Sequence, residues 1–150
     1  MIIDERTEFA DAVSVGTPNN TTVNVGNSID TSDIRDMGAG QTVFLIITVD
    51  TAITSGGSAT VAFLLVSDAS SSIATDGTAT AHVTTDAIAV ADLVAGYTMV
   101  VPLSSVNPTW ERYLGFQVQE TASQALTAGA VNAFLSFDAH GWRSYPDAAN

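Results

Sequence analysis

No stretch of this chain sustains a helical period. Instead, short apolar runs recur between clusters of Gly, Pro, Asn, Asp and Ser. That punctuation is the strongest constraint on the fold, because a strand turns successive side chains to opposite faces and each Gly or Pro cluster reverses the chain. Eight strands are predicted, over 12–15, 22–25, 42–49, 60–66, 79–84, 98–103, 112–119 and 130–137. Only 33–37 and 87–94 read as short helical turns. The turns are marked by Pro18-Asn19-Asn20, Gly38-Ala39-Gly40, Ser55-Gly56-Gly57-Ser58, Asp76-Gly77, Ala95-Gly96, Asn107-Pro108 and Ala128-Gly129.

Period-two reading assigns faces. Leu114, Phe116 and Val118 share one side of their strand, opposite Tyr113, Gly115, Gln117 and Gln119. Val131, Ala133, Leu135 and Phe137 are expected to point inward. In the fifth strand Ala79, Ala81 and Val83 oppose Thr80, His82 and Thr84. The run 43–47 does not alternate, which predicts cover on both faces: core on one, and a subunit, arm or helix on the other. Eight short strands suit an all-β, two-sheet antiparallel sandwich, either a jelly roll or an immunoglobulin-like order. The long connections around 26–41 and 67–78 favour the jelly roll, and the immunoglobulin Cys pair and Trp are absent. A hairpin of the last two strands would set Arg112 opposite Asp138. In a jelly roll those strands lie in different sheets.

A length of 150 residues fits one domain, with an N-terminal arm over 1–11 and a C-terminal tail over 138–150. Four Arg and no Lys against 16 acidic residues give a net charge of −12. That balance opposes nucleic-acid binding, which needs Lys and Arg to neutralise phosphates. Lacking Lys, the chain has no Schiff-base or P-loop lysine; lacking Cys, it has no thiol nucleophile or sulfur metal site. The two His residues cannot build a three-His metal centre. Charged residues make up only 13%. A surface of small, weakly charged side chains loses little entropy when covered, which hints at a protein partner; adaptation to an acidic proteome is the blander reading. The first nine residues are too charged for a signal sequence, and no apolar run approaches the roughly 20 residues that span a bilayer.

Motifs for chemistry are weak. Gly38-Ala39-Gly40 starts like a dinucleotide fingerprint but leads into a strand, so no helix N-terminus awaits a phosphate. Asp30, Asp33 and Asp36 lack calcium-loop offsets and read as capping carboxylates beside Thr31 and Ser32; Asp68 and Asp76 are weaker still as ligands. His82 and His140 lack an activated serine motif and are expected to be surface or hydrogen-bonded structural histidines. Glu111 and Glu120 flank one strand, about 30 Å apart at roughly 3.3 Å per residue, far beyond the roughly 5–9.5 Å of glycosidase pairs. Trp110, Tyr113, Trp142 and Tyr145 cluster late in the chain beside Arg112 and Arg143, residue types enriched at binding hot spots. They suit a protein interface, a cap on the open end of the sandwich, or a sugar-stacking platform.

The chain resembles the small jelly-roll cement (decoration) proteins of short-tailed bacteriophages of the Bordetella-phage type. The resemblance lies in Met1-Ile2-Ile3-Asp4-Glu5-Arg6-Thr7-Glu8-Phe9 continuing to Val15, and in Asp36-Met37-Gly38-Ala39-Gly40 leading into 43–52. It continues through Thr75-Asp76-Gly77-Thr78-Ala79, Leu93-Val94-Ala95-Gly96-Tyr97, Arg112-Tyr113-Leu114-Gly115 and 126–137, with Trp142 following. It implies a non-enzymatic virion protein, with no cofactor or metal, that binds the outer capsid surface and cements neighbouring major capsid protein subunits. Such a protein is expected to self-associate as a dimer or trimer and to bind neither nucleic acid nor membrane. The residues expected to meet a partner are Ile2, Ile3, Arg6, Phe9, Trp110, Arg112, Tyr113, Trp142, Arg143 and Tyr145. The alternatives are a carbohydrate-binding jelly-roll module or phage surface adhesin, tested by exposure of Trp110 or Trp142, and an acidic-residue hydrolase, tested by a close carboxylate pair.

Overall fold

The computed structural model of the chain describes residues 5–32, 41–103 and 109–139. A 3-10 turn (Glu5–Thr7) leads into β1 (Glu8–Ser14), then β2 (Thr22–Asn24), β3 (Ile29–Asp30), β4 (Phe44–Ser55), β5 (Thr60–Asp68), β6 (Thr80–Thr84) and β7 (Ile88–Ala89). A second 3-10 turn (Val90–Asp92) precedes β8 (Thr98–Pro102), β9 (Tyr113–Glu120) and β10 (Leu126–Ser136). The first sheet runs β1-β10-β4-β8. The second runs β2-β9-β5-β6, with β3 added on β9 and β7 on β5. All these pairings are antiparallel.

The strand order decides the topology. The first and last strands pair, and the successive strands β9 and β10 lie in opposite sheets. This is a jelly roll, and the hairpin that would set Arg112 opposite Asp138 does not form. Arg112 instead engages Asp30, through Nε at 2.9 Å and Nη2 at 2.7 Å. The inner faces meet as the alternation predicts: Leu45, Ile47, Val49, Val131, Ala133 and Leu135 against Val61, Phe63, Leu65, Leu114, Phe116 and Val118. Phe116 stacks on Phe63 with centroids 5.9 Å apart, and Phe9 reaches it from β1 at 6.4 Å. Each such fully buried side chain contributes about 1.5–3 kcal/mol.

The non-alternating run 43–47 is covered on both faces at its centre. Leu45 and Ile47 belong to the core cluster. Ile46 points the other way, in register with Phe134, yet they are 0% and 2% exposed.

Several expectations are corrected. The segment 87–94 is helical only in part: Ile88 pairs with Val61 in a strand, and the expected turn is a single 3-10 turn over Val90–Asp92, with no side-chain cap at Ala89. One turn without a cap does not repay helix nucleation. The two-residue strands β3 and β7 were too short to show an alternation. Phe137 lies just past β10 and is 40% exposed rather than inward. The first strand begins at Glu8, so residues 8–11 of the expected arm belong to a sheet. Register shifts within β1 hide this, and at Ala12, where φ is +48°, the amide donates to Asn132 Oδ1 at 2.5 Å. The expected turn 33–37 lies outside the described residues.

Two glycines are required where backbones close up. Gly26 has φ +75°, and a Cβ there would collide with the Phe9 carbonyl, which accepts the Asn27 amide at 2.7 Å. Gly115 lies under Ile73, whose Cδ1 occupies the space of a Cβ.

Candidate functional site

In the second sheet, polar side chains gather at both ends of β9. At its start, β5 supplies Ser67, β6 supplies Thr80 and His82, and the preceding segment supplies Trp110 and Glu111. The His82 and Trp110 rings stack with centroids 3.6 Å apart and planes 6° from parallel. His82 Nε2 lies 2.7 Å from Ser67 Oγ, which also accepts the Glu111 amide at 3.1 Å. The Glu111 carboxylate accepts the Thr80 hydroxyl at 2.7 Å. Burial lowers the His82 pKa below its ordinary value, and Glu111 offsets part of that. His82 Nδ1 is buried and has no hydrogen-bond partner among the described residues.

A serine beside a histidine invites comparison with a catalytic triad. Here Ser67 is fully buried, and no carboxylate is bonded to Nδ1 to orient the ring. Glu111 is spent on Thr80. The arrangement joins β5, β6 and the segment before β9, and His82 is the hydrogen-bonded structural histidine expected.

At the far end of β9, Glu120 is fully buried opposite Val61. Its carboxylate accepts the amides of Asn20 and Ala122, each at 2.7 Å. Burial alone would raise its pKa, but backbone amides of Asn20, Ala122, Gln124 and Ser123 outweigh that and hold it below the usual value. Asn20 and Ser123 adopt positive φ of +49° and +56° in the two loops whose amides converge on it.

The Ser-rich loop after β5 folds onto the outer face of the second sheet. Gln117, buried on that face, donates to Asn24 Oδ1 at 2.9 Å and to the Ala74 carbonyl at 2.8 Å. Asn24 donates to the Ile73 carbonyl at 2.8 Å. Asp68 accepts the amides of Ser70 and Ala74, and Asp76 accepts the Thr78 amide and hydroxyl, which lowers both pKa values. These carboxylates are loop caps. A groove of about 140 Å³ lies between this loop and β2, lined in part by Asn24, Asn27, Ser71 and Ser72. Among the described residues, no group of three His, Asp or Glu side chains could hold a metal ion. No helix among them is long and apolar enough to cross a membrane.

The residues expected to meet a partner are divided by the fold. Phe9 is a correction: it is buried in the core, because β1 starts earlier than its alternation suggests. Trp110 packs partly against the core with His82 stacked on one face, which closes that face to a sugar. Arg112 lies 5.0 Å above the Tyr113 ring, and its pair with Asp30 stays largely exposed. The Arg112 guanidinium and the Ser32 amide hold Asp30 far below the usual carboxylate range. Arg6 is exposed in the first 3-10 turn. Ile2, Ile3, Trp142, Arg143 and Tyr145 lie outside the described residues, as do Asp33, Asp36 and His140. On the outer face of the first sheet, Val100 is 39% exposed beside Ile46.

Sequence reading missed Ser67, Thr80, Gln117 and Glu120 as structural polar groups. Gln117 left one faint signal, a long polar side chain in mid-strand. Ser67 left none.

A comparison with curated proteins gives no match. The family model Bbp16 matches residues 9–135, from the core residue of β1 to the last core residue of β10, which is the whole sandwich. Over that span the chain belongs to the Bbp16 family, a family of Bordetella phage proteins.

Proposed function

We propose that this chain is a non-enzymatic structural protein of the virion, bound to the outer surface of a phage capsid, where it cements neighbouring major capsid protein subunits. The observation that carries this reading is where the polar chemistry goes. Ser67, His82, Glu111, Asp68 and Glu120 are each spent on joining strands and loops of a jelly roll within a phage protein family. A cement performs no bond chemistry. It needs a stiff body and contacts across a joint, each of about 1,200–2,000 Å² for a stable interface. Many copies on a symmetric shell then act multivalently, so modest contacts sum to a large resistance to internal pressure. A dimer or trimer suits the local symmetry of such a shell. A net charge of −12 suits a basic patch on the partner and is repelled by packaged DNA. The partner-facing residues proposed are Arg6, Arg112 and Tyr113, together with Ile2, Ile3, Trp142, Arg143 and Tyr145.

The test is addition of the purified chain to expanded capsids that lack it. Stoichiometric binding and a raised temperature of shell disruption are expected. Absence from purified particles, or a shell equally heat-stable without it, overturns the reading.

A further inference from the structure

We propose that Ser67, His82 and Trp110 form an acid-sensitive latch that holds residues 109–112, the lead into β9, against β5 and β6. The latch is a stack secured at one edge. Trp110 covers the imidazole at 3.6 Å, and Nε2 is tied to Ser67 Oγ at 2.7 Å. The same hydroxyl oxygen takes the Glu111 amide, so one buried serine fastens both the ring and the backbone of the segment. Nδ1 is the weak point, since it is buried without a partner. A neutral imidazole carries one donor and one acceptor, whereas the imidazolium carries two donors. Protonation therefore places a charge on a half-buried ring and gives two N–H groups to a site where, among the described residues, the ring has one hydrogen-bonding partner.

The charged groups around the ring do not supply the missing partner. Glu111 faces it from the 109–112 segment and attracts a proton, but its carboxylate holds Thr80. On β5, Asp68 caps its own loop through Ser70 and Ala74. Arg112 is engaged with Asp30. β6 itself, Thr80–Thr84, contributes no other charged side chain. Burial outweighs Glu111, so the histidine of the closed latch is less protonated than a free one at the same pH. An open segment lets His82 titrate near its free value of about 6.5. The open form thus binds more protons than the closed one below that pH. The stability of the closed form relative to the open one is greatest above about pH 6.5 and falls as pH drops from there through the lower value of the closed form.

The test uses the Trp142→Phe variant, which leaves Trp110 as the reporting indole. Between pH 7.5 and 5, a red shift of its emission is expected. The Glu111 amide, corrected for intrinsic rate, should lose protection at the acid end. His82→Phe keeps an aromatic ring on Trp110, removes the titration, and should flatten both profiles. If that variant does not fold, the ring resonances of His82, assigned with the help of His140→Ala, supply the same answer. They should titrate below 6.5, with the Trp110 indole signal following. Emission and protection unchanged across the range, a transition that persists in His82→Phe, or a His82 midpoint at or above 6.5 overturns the latch. The measurement is made on the isolated chain, so its result is independent of capsid binding.

Discussion

The two ends of β9 bury polar groups by opposite means. Glu120 is a buried carboxylate that converging backbone amides satisfy, two of them at 2.7 Å. His82 is a half-buried imidazole with one nitrogen bonded and the other, itself buried, without a partner among the described residues, held by a stacked indole. The Glu120 end needs its charge, because the loops around Asn20 and Ser123 are wound to present donors to it. The His82 end needs the absence of charge. The two ends of β9 therefore lie beside a carboxylate favoured as the anion and an imidazole favoured as the neutral ring, and the His82 end is expected to loosen first as pH falls.

The largest effect should come from Glu120→Gln. Its amide group turns a donor toward backbone donors, at a cost of about 1–3 kcal/mol for groups left unsatisfied in the interior. Denaturant unfolding at pH 7 should show a lower midpoint with unchanged slope. An unchanged midpoint would remove the carboxylate's structural role.

The acid limb sharpens the same contrast. Because folding lowers the Glu120 pKa, its contribution is present above its unfolded value, about 4.3, and is lost as pH falls through the folded value. The stability difference between wild type and Glu120→Gln should shrink below about pH 4.3. A difference that stays constant to pH 2 contradicts the assignment.

His82→Phe should do less at pH 8 than Glu120→Gln, since it removes one hydrogen bond, to Ser67, along with a nitrogen that has no partner among the described residues. Ser67 keeps the Glu111 amide. A loss as large as that of Glu120→Gln would show the two ends to be equivalent. The smallest effect should belong to Arg112→Ala, whose partner Asp30 is on the surface. Thermal unfolding should differ slightly from wild type at low salt and not at high salt.

The region between the two ends was legible from alternation alone. Leu114, Phe116 and Val118 face the core as their spacing demands. The doubly covered run is equally plain, because no half-buried strand tolerates Leu45, Ile46 and Ile47 in succession. Legibility fails where the period breaks. β1 carries register shifts, so its first residues read as an arm and Phe9 as an available side chain. At β6 the ladder shifts beside His82, so a two-face reading of 79–84 could not place its ring against Trp110. The aromatic cluster suggested three roles, and composition had no means of choosing. Trp110 meets His82, 28 residues away, which is itself bonded to Ser67, 43 residues away, contacts that no local pattern encodes.

By itself, then, the order of apolar and turn residues determined an all-β sandwich, its core faces and most of its strands. These are local matters: a period of two and a Gly or Pro turn act over a few residues, whatever the rest of the chain does. Tertiary structure alone decided that β9 and β10 lie in opposite sheets, that Glu120 meets amides from two loops, and that His82 is sealed under Trp110 with a nitrogen unpaired. Those outcomes depend on which distant segments share one small volume, and burial and hydrogen bonding are properties of that shared volume rather than of any residue's neighbours in the chain.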